Sequence, residues 1–148
     1  MTRIVLLDSA PLGMAVHPRP TPEFLRWWAA LQAGSTAVGI PEIAVYELRR
    51  ELVRLNRTES LRQLEVLREN FRFFPITTPI IYRASELWAE ARRFGRPTAS
   101  PESLDGDVIL AATAQLQQES GDDVIVATTN LSHLAPLVPA AYWHEVGA

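Results

Sequence analysis

Two aspartates stand two residues apart in front of an apolar segment. Asp105 and Asp107 precede residues 108–114 in a chain that contains only five aspartates, and a third, Asp8, ends the apolar run at 4–7. Carboxylates that converge repel one another and raise each other's pKa unless a cation neutralises them. Ligands that are all oxygen select a hard ion, Mg²⁺ or Mn²⁺, which also binds phosphate oxygens. Such a site suits cleavage of a phosphodiester bond.

A polar pair, Thr128 and Asn130, follows a second apolar run at 124–127. Together with Asp8, this pair lies where strands are expected to stop. In an open parallel sheet that edge is the one that binds ligands. Thr128 and Asn130 could instead only shape the turn that follows the strand.

The aspartates also have structural interpretations. Asp8 could cap the turn after its strand, and Asp107 could complement the helix dipole in the first turn of its helix. Asp105 is expected to act mainly as the N-cap of that helix, with a side chain that accepts a backbone N–H. These interpretations lose weight when taken together, because the sheet would bring the ends of two strands beside the start of the acidic helix.

A glutamate on another helix could join this group. Glu47 lies between the apolar residues Ala44 and Leu48, which places it close to the buried side of its helix. An ion pair with Arg50 or Arg54 is the alternative explanation for a single glutamate at such an edge.

The three histidines are far apart in the sequence. His17, His133 and His144 form no cluster, so each is expected at the surface or in packing contacts rather than as a metal ligand.

The amino-acid composition rules out several classes of protein. The chain has 148 residues, of which 47% are hydrophobic, which favours one globular domain over residues 1–148. All fourteen basic residues are arginine, so a P-loop lysine and a Schiff-base lysine are excluded. Without cysteine, thiolate zinc sites are excluded too. No stretch approaches ~18 uninterrupted apolar residues, so we expect no membrane partner and a cytoplasmic location.

Strand and helix patterns alternate along the chain, which predicts an α/β fold, a three-layer α/β/α sandwich with a mainly parallel central sheet. Residues 95–102 are predicted to form a loop, and the acidic helix follows it with Asp105 at its start. Strands are predicted at 3–8, 37–40, 71–77, 124–128 and 142–146, and the other helices at 21–33, 41–56, 59–70 and 79–94.

The order of four motifs resembles that of PIN-domain ribonucleases, most closely the VapC-like toxins of bacterial toxin–antitoxin pairs. The motifs occupy residues 6–9, 41–51, 104–114 and 126–133. The resemblance implies that Asp8, Glu47 and Asp107 bind Mg²⁺ or Mn²⁺. Asn130 falls where many relatives carry a fourth acidic residue and others an Asn, and His133 stands where an Asp is frequent. Thr128 could support the site by holding a carboxylate or a water with its hydroxyl.

The resemblance also implies a metal-activated water that attacks an RNA phosphodiester, a homodimer, and an antitoxin that occludes the site. Arg49, Arg50, Arg54 and Arg57 follow Glu47 on the same helix and at its end, and could contact RNA phosphates. The same arginines could equally form a solvated face paired with nearby glutamates.

Two other functions remain open from the sequence. One is a catalytically weak PIN-like module that binds RNA or a protein, which the neutral Asn130 favours and the three carboxylates disfavour. The other is an acid-phosphatase-like hydrolase with Asp8 as the nucleophile. That second class is disfavoured because Ala10 stands where the usual partner aspartate would be.

Overall fold

Five strands and seven α-helices make up the part of the chain that the structure describes. The computed structural model describes residues 2–94 and 101–147, with side chains from residue 104 onward in the second range. The strands are β1 (Arg3–Leu7), β2 (Ala37–Pro41), β3 (Arg72–Phe74), β4 (Asp123–Thr128) and β5 (Ala140–Tyr142). The helices are α1 (Ser9–Val16), α2 (Pro22–Ala33), α3 (Glu42–Arg54), α4 (Thr58–Asn70), α5 (Thr78–Arg93), α6 (Pro101–Glu119) and α7 (Leu131–Leu134), and a 3₁₀ turn spans Trp143–Glu145.

The five strands form one parallel sheet in the order β3-β2-β1-β4-β5. Strand β1 is central, and the chain adds strands on one side before it crosses to β4 on the other. Leu7 at the end of β1 pairs with Ala127 in β4, and the Asp8 backbone N–H donates to the Ala127 carbonyl at 3.0 Å. The crevice at this topological switch point is where open parallel sheets bind ligands.

Helices cover both faces of the sheet. Side chains alternate along β1, so that Ile4 and Leu6 pack on one face with α5 and α6. Val5 and Leu7 pack on the other face with α1, α2 and α4. These four apolar side chains of β1 are fully buried, and only its first residue, Arg3, is exposed. This arrangement confirms the predicted three-layer α/β/α sandwich.

Helix α6 begins earlier than the sequence pattern predicted. It starts at Pro101, so Asp105 lies in its second turn and is exposed. The prediction that Asp105 caps this helix is therefore wrong, as is the placement of Asp107 in the first turn. Proline followed by an acidic residue is itself a pattern typical of a helix start. Of the predicted loop at 95–102, residues 95–100 lie outside the described part of the chain.

Three further differences are local. Helix α1 was not predicted, because Pro11 and Gly13 interrupt its helical pattern of apolar residues. The burial of Leu12 and Val16 stabilises it. The strand predicted at 142–146 is instead the end of β5 followed by the 3₁₀ turn. Strand β3 is shorter than the predicted 71–77.

No helix in the described ranges combines the length and the apolar character needed to cross a membrane.

Candidate active site

Asp8 lies at the carboxyl end of β1, where it is also the N-cap of α1. One carboxylate oxygen, Oδ1, accepts from the Ser9 backbone N–H at 2.7 Å. The other, Oδ2, accepts from the Thr128 hydroxyl at 2.8 Å. Burial raises the pKa of Asp8 even though both hydrogen bonds act to lower it. The side chain is thus fixed in place but ionises reluctantly.

Thr128 links the ends of the two central strands. It is fully buried, donates its only hydroxyl proton to Asp8, and accepts from the Asn130 backbone N–H at 2.8 Å. A single hydroxyl therefore orients the Asp8 carboxylate and shapes the turn after β4. The two sequence interpretations of Thr128, as a support for a carboxylate and as a turn residue, both describe what the structure contains.

Glu47 extends from α3 towards α6. Burial, then the charge of Asp8, raises its pKa to about 7; Arg50 acts in the opposite direction and Asp107 adds a smaller increase. Arg54 instead pairs with Glu51 at 2.7 Å. No ion pair holds Glu47 within the described ranges, so pairing with Arg50 or Arg54 does not explain its position.

Asp107 presents an unsatisfied oxygen. Its Oδ2 is buried and has no hydrogen-bond partner among the residues that the structure describes, although the His133 Nδ1 atom lies 3.5 Å away. Burial raises the pKa of Asp107 to about 6; the nearby His133 opposes this increase and Asp8 adds to it. A buried carboxylate oxygen without a partner is unfavourable unless a ligand satisfies it.

The contact between His133 and Asp107 was not indicated by the sequence. His133 was expected at the surface or in packing contacts, and its Nδ1 lies 2.9 Å from the Asn130 side-chain Nδ2 and 3.5 Å from Asp107 Oδ2. The short helix α7 starts after Asn130 and puts His133 back beside it, three residues on. The three-residue spacing of Asn130 and His133 could have indicated their contact, but only if a helical turn after β4 had been predicted.

The remaining candidates lie on the surface. Asp105 lines a groove between α5 and α6 with Ile81 and Trp88. Arg49 and Arg50 are exposed on α3, and the Arg50 guanidinium lies over the Tyr46 ring at 5.3 Å. Arg54 is also exposed but is paired with Glu51, as in the solvated-face interpretation.

The chemistry of the donors fits a hard divalent cation. Asp8, Glu47 and Asp107 offer only oxygen atoms, and each has a raised pKa. The unpaired Asp107 Oδ2 is available as a ligand. Within the described residues, 2–94 and 101–147, however, no three acidic or histidine side chains are already close enough together to hold one ion. The three carboxylates thus influence one another's pKa values, but they do not lie close enough together to coordinate one ion in this conformation.

The comparisons with known proteins agree with this fold. The family model for the PIN domain matches residues 5–134. VapBC2 from Rickettsia felis, bound to a DNA fragment from its promoter, is similar with a TM-score of 0.73 and 14% identity, over 95% of this chain and 98% of that chain. DNA-bound VapBC from Salmonella typhimurium gives a TM-score of 0.72 and 18% identity, over 97% and 99%.

FitAcB from Neisseria gonorrhoeae is similar with a TM-score of 0.68 and 22% identity, over 96% of this chain and 99% of that chain. No curated protein matches the chain by sequence. The family match covers most of the chain and begins within β1 and ends with α7. The chain therefore belongs to the PIN domain family.

Proposed function

We propose that this protein is a metal-dependent endoribonuclease and the toxin of a toxin–antitoxin pair. The observation that carries the proposal is the buried Oδ2 of Asp107, which has no hydrogen-bond partner in the described part of the chain, at the ligand-binding edge of a parallel sheet. Two further carboxylates, Asp8 and Glu47, interact electrostatically with it or with each other. A cation would relieve this repulsion and satisfy the unpaired oxygen.

Each site residue has a distinct role in this proposal. Asp8, Glu47 and Asp107 hold Mg²⁺ or Mn²⁺. The ion, when bound, lowers the pKa of a water molecule and stabilises negative charge on the phosphoryl oxygens. Thr128 orients Asp8 through its hydroxyl, and Asn130 fixes His133 beside Asp107.

Arg49 and Arg50 are proposed to contact the RNA backbone. Both are exposed on α3, the helix that carries Glu47, and guanidinium groups bind phosphate oxygens with paired hydrogen bonds. Arg54 is less available, because Glu51 accepts from its Nε and Nη2 atoms at 3.0 and 2.7 Å.

A protein partner and a second copy of the chain complete the proposal. A similar structure is a toxin–antitoxin complex from Klebsiella pneumoniae, which supports a cognate antitoxin that covers the site. The proposed location is the cytoplasm. Helix α5 exposes Ile81, Tyr82 and Trp88, with 44%, 65% and 37% of their surfaces accessible. Large apolar side chains clustered on one helix favour an interface, and a homodimer through α5 would bury them.

A binding module without efficient catalysis is the second candidate. Asn130 is neutral, and its side-chain amide contacts His133 rather than a carboxylate. A site with three carboxylates in place of four binds cations more weakly. This alternative predicts RNA binding without Mn²⁺-dependent cleavage.

Cleavage of a generic single-stranded RNA with and without Mn²⁺ tests both candidates. We expect the wild type to cleave only with the metal and Asp107→Asn to lose cleavage, because an amide ligates a hard cation poorly. Asp123→Asn is the matched control, since Asp123 is exposed at the start of β4, the opposite end of the sheet. Metal-independent RNA binding without cleavage would favour the binding module, and hydrolysis of small phosphoesters instead of RNA would favour the phosphatase class.

A further inference from the structure

Gly106 separates the two aspartates of α6 and lies inside the helix. Its backbone has no positive φ, so glycine is not required there for a left-handed conformation. Glycine in a helix interior is less stable than alanine, because it loses more backbone freedom on folding. A reason other than backbone conformation must explain this residue, and the space above its Cα supplies one.

The carboxylate of Glu47 occupies the place of a side chain at residue 106. A Cβ added to Gly106 would lie 2.5 Å from Glu47 Oε2, 3.1 Å from Cδ and 3.4 Å from Oε1. All three of the nearest atoms therefore belong to one carboxylate group. Because real Cβ atoms do not approach other atoms as closely as 2.5 Å, any side chain at residue 106 would displace this carboxylate.

We propose that Gly106 is a positioning residue for the metal site: its missing side chain lets the Glu47 carboxylate lie against α6, next to Asp107. This inference rests on the proposed function, because it assigns Gly106 a role at the same site. Gly106 acts through Glu47 and contributes no ligand of its own.

The geometry predicts that a side chain at residue 106 stabilises the fold but weakens the metal site. Glu47 has a flexible side chain, so its carboxylate can swing away from an added Cβ without moving either helix. Gly106→Ala should then stabilise α6 through helix propensity while moving a ligand away from its place. A purely structural glycine would not combine a more stable fold with a weaker metal site.

The test compares Gly106→Ala with Gly13→Ala, a second glycine-to-alanine change inside a helix. Among the described residues, a Cβ at Gly13 would meet only the Leu48 Cδ1 methyl group, at 3.3 Å, and no carboxylate. For each full-length variant, the urea midpoint is measured in EDTA and the Mn²⁺ dissociation constant by calorimetric titration. We expect Gly106→Ala to raise the midpoint and weaken Mn²⁺ binding by about tenfold or more, the range seen when groups that orient ligands are lost. Gly13→Ala should leave Mn²⁺ binding unchanged.

A double variant shows whether the effect passes through Glu47. In a Glu47→Ala background there is no carboxylate to displace, so Gly106→Ala should cause no further change in Mn²⁺ affinity. An equal loss of affinity in that background would overturn the positioning role, as would wild-type affinity in Gly106→Ala. A lower urea midpoint for Gly106→Ala would also overturn it, because the carboxylate would not have moved aside. If the wild type itself does not bind Mn²⁺, the proposed function fails before the role of Gly106 is reached.

Discussion

Asp107→Asn should stabilise the metal-free protein at neutral pH. Burial raises the pKa of Asp107 from 3.8 to about 6, so the folded chain binds this proton more tightly than the unfolded chain. The ionised carboxylate therefore destabilises the fold above pH about 6, and this effect is relieved as the pH falls towards about 4. An amide has no charge to bury, so the variant does not carry this destabilisation at any pH.

The size of the effect follows from the pKa. A change from 3.8 to about 6 corresponds to at most about 3 kcal/mol, at about 1.36 kcal/mol per pH unit. The Asp107 side chain keeps 17% of its exposure, and solvent reduces the effect, so we expect about 1 to 2 kcal/mol at pH about 7.5. The difference between variant and wild type should disappear near pH about 4.

Urea unfolding in EDTA at a series of pH values measures this difference. Surface carboxylates such as Glu51 and Glu65 have lowered pKa values from their arginine partners, which gives the opposite pH trend. Both proteins share that trend, so subtraction leaves the contribution of Asp107 together with its smaller effect on the pKa of Glu47. Added Mn²⁺ should reverse the order, because only the wild type retains the ligand. A variant that is less stable than the wild type at every pH would refute this reasoning and indicate a structural carboxylate.

Three further substitutions test individual contacts. Thr128→Val leaves the Asn130 N–H and one Asp8 oxygen without their partner. It should lower the free energy of unfolding by about 1 to 3 kcal/mol and weaken Mn²⁺ binding. Thr128→Ser keeps the hydroxyl and should retain both the stability and the Mn²⁺ affinity of the wild type. Asn130→Asp should tighten Mn²⁺ binding measured by titration; weaker binding would show that a fourth carboxylate is unwelcome there. Asp105→Ala should change the free energy of unfolding by less than about 0.5 kcal/mol and preserve RNA cleavage, because Asp105 is exposed inside α6.

The layers of the fold were predictable because local and tertiary signals agree. The apolar run of β1 is buried on both faces, as its composition indicates. Helix α2 begins at Pro22, with the Thr21 hydroxyl accepting from the Phe24 backbone N–H at 3.2 Å, and ends before Gly34. Proline at the first helical position and glycine after the last are strong boundary signals.

The start of α6 and the position of His133 were not predictable in the same way. The polar segment before Asp105 has the composition of a loop, and only Pro101 with the acidic residue after it marked the earlier start of the helix. His133 reaches Asp107 because the short helix α7 follows β4 and turns back beside α6. Such a contact between distant segments has no local pattern in the sequence.

Motif order indicated which carboxylates belong to the site, namely Asp8, Glu47 and Asp107. It did not indicate the environment of each side chain. The sequence could not indicate that Asp107 Oδ2 lacks a partner within residues 2–94 and 104–147, or that Glu47 lies against Gly106. The second feature depends on how closely α3 and α6 pack. Packing distances of this kind are set by all the side chains between two helices, so no single motif contains them.

Anomalous diffraction from crystals of the protein grown with Mn²⁺ tests the central claim most directly. We expect a Mn²⁺ peak bounded by carboxylate oxygens of Asp8, Glu47 and Asp107, with ligand distances of about 2.0 to 2.3 Å, and no peak at this place in Asp107→Asn crystals. A well-ordered site without a peak in the wild type, or a peak that persists unchanged in Asp107→Asn, would contradict the assignment of these three carboxylates to the metal.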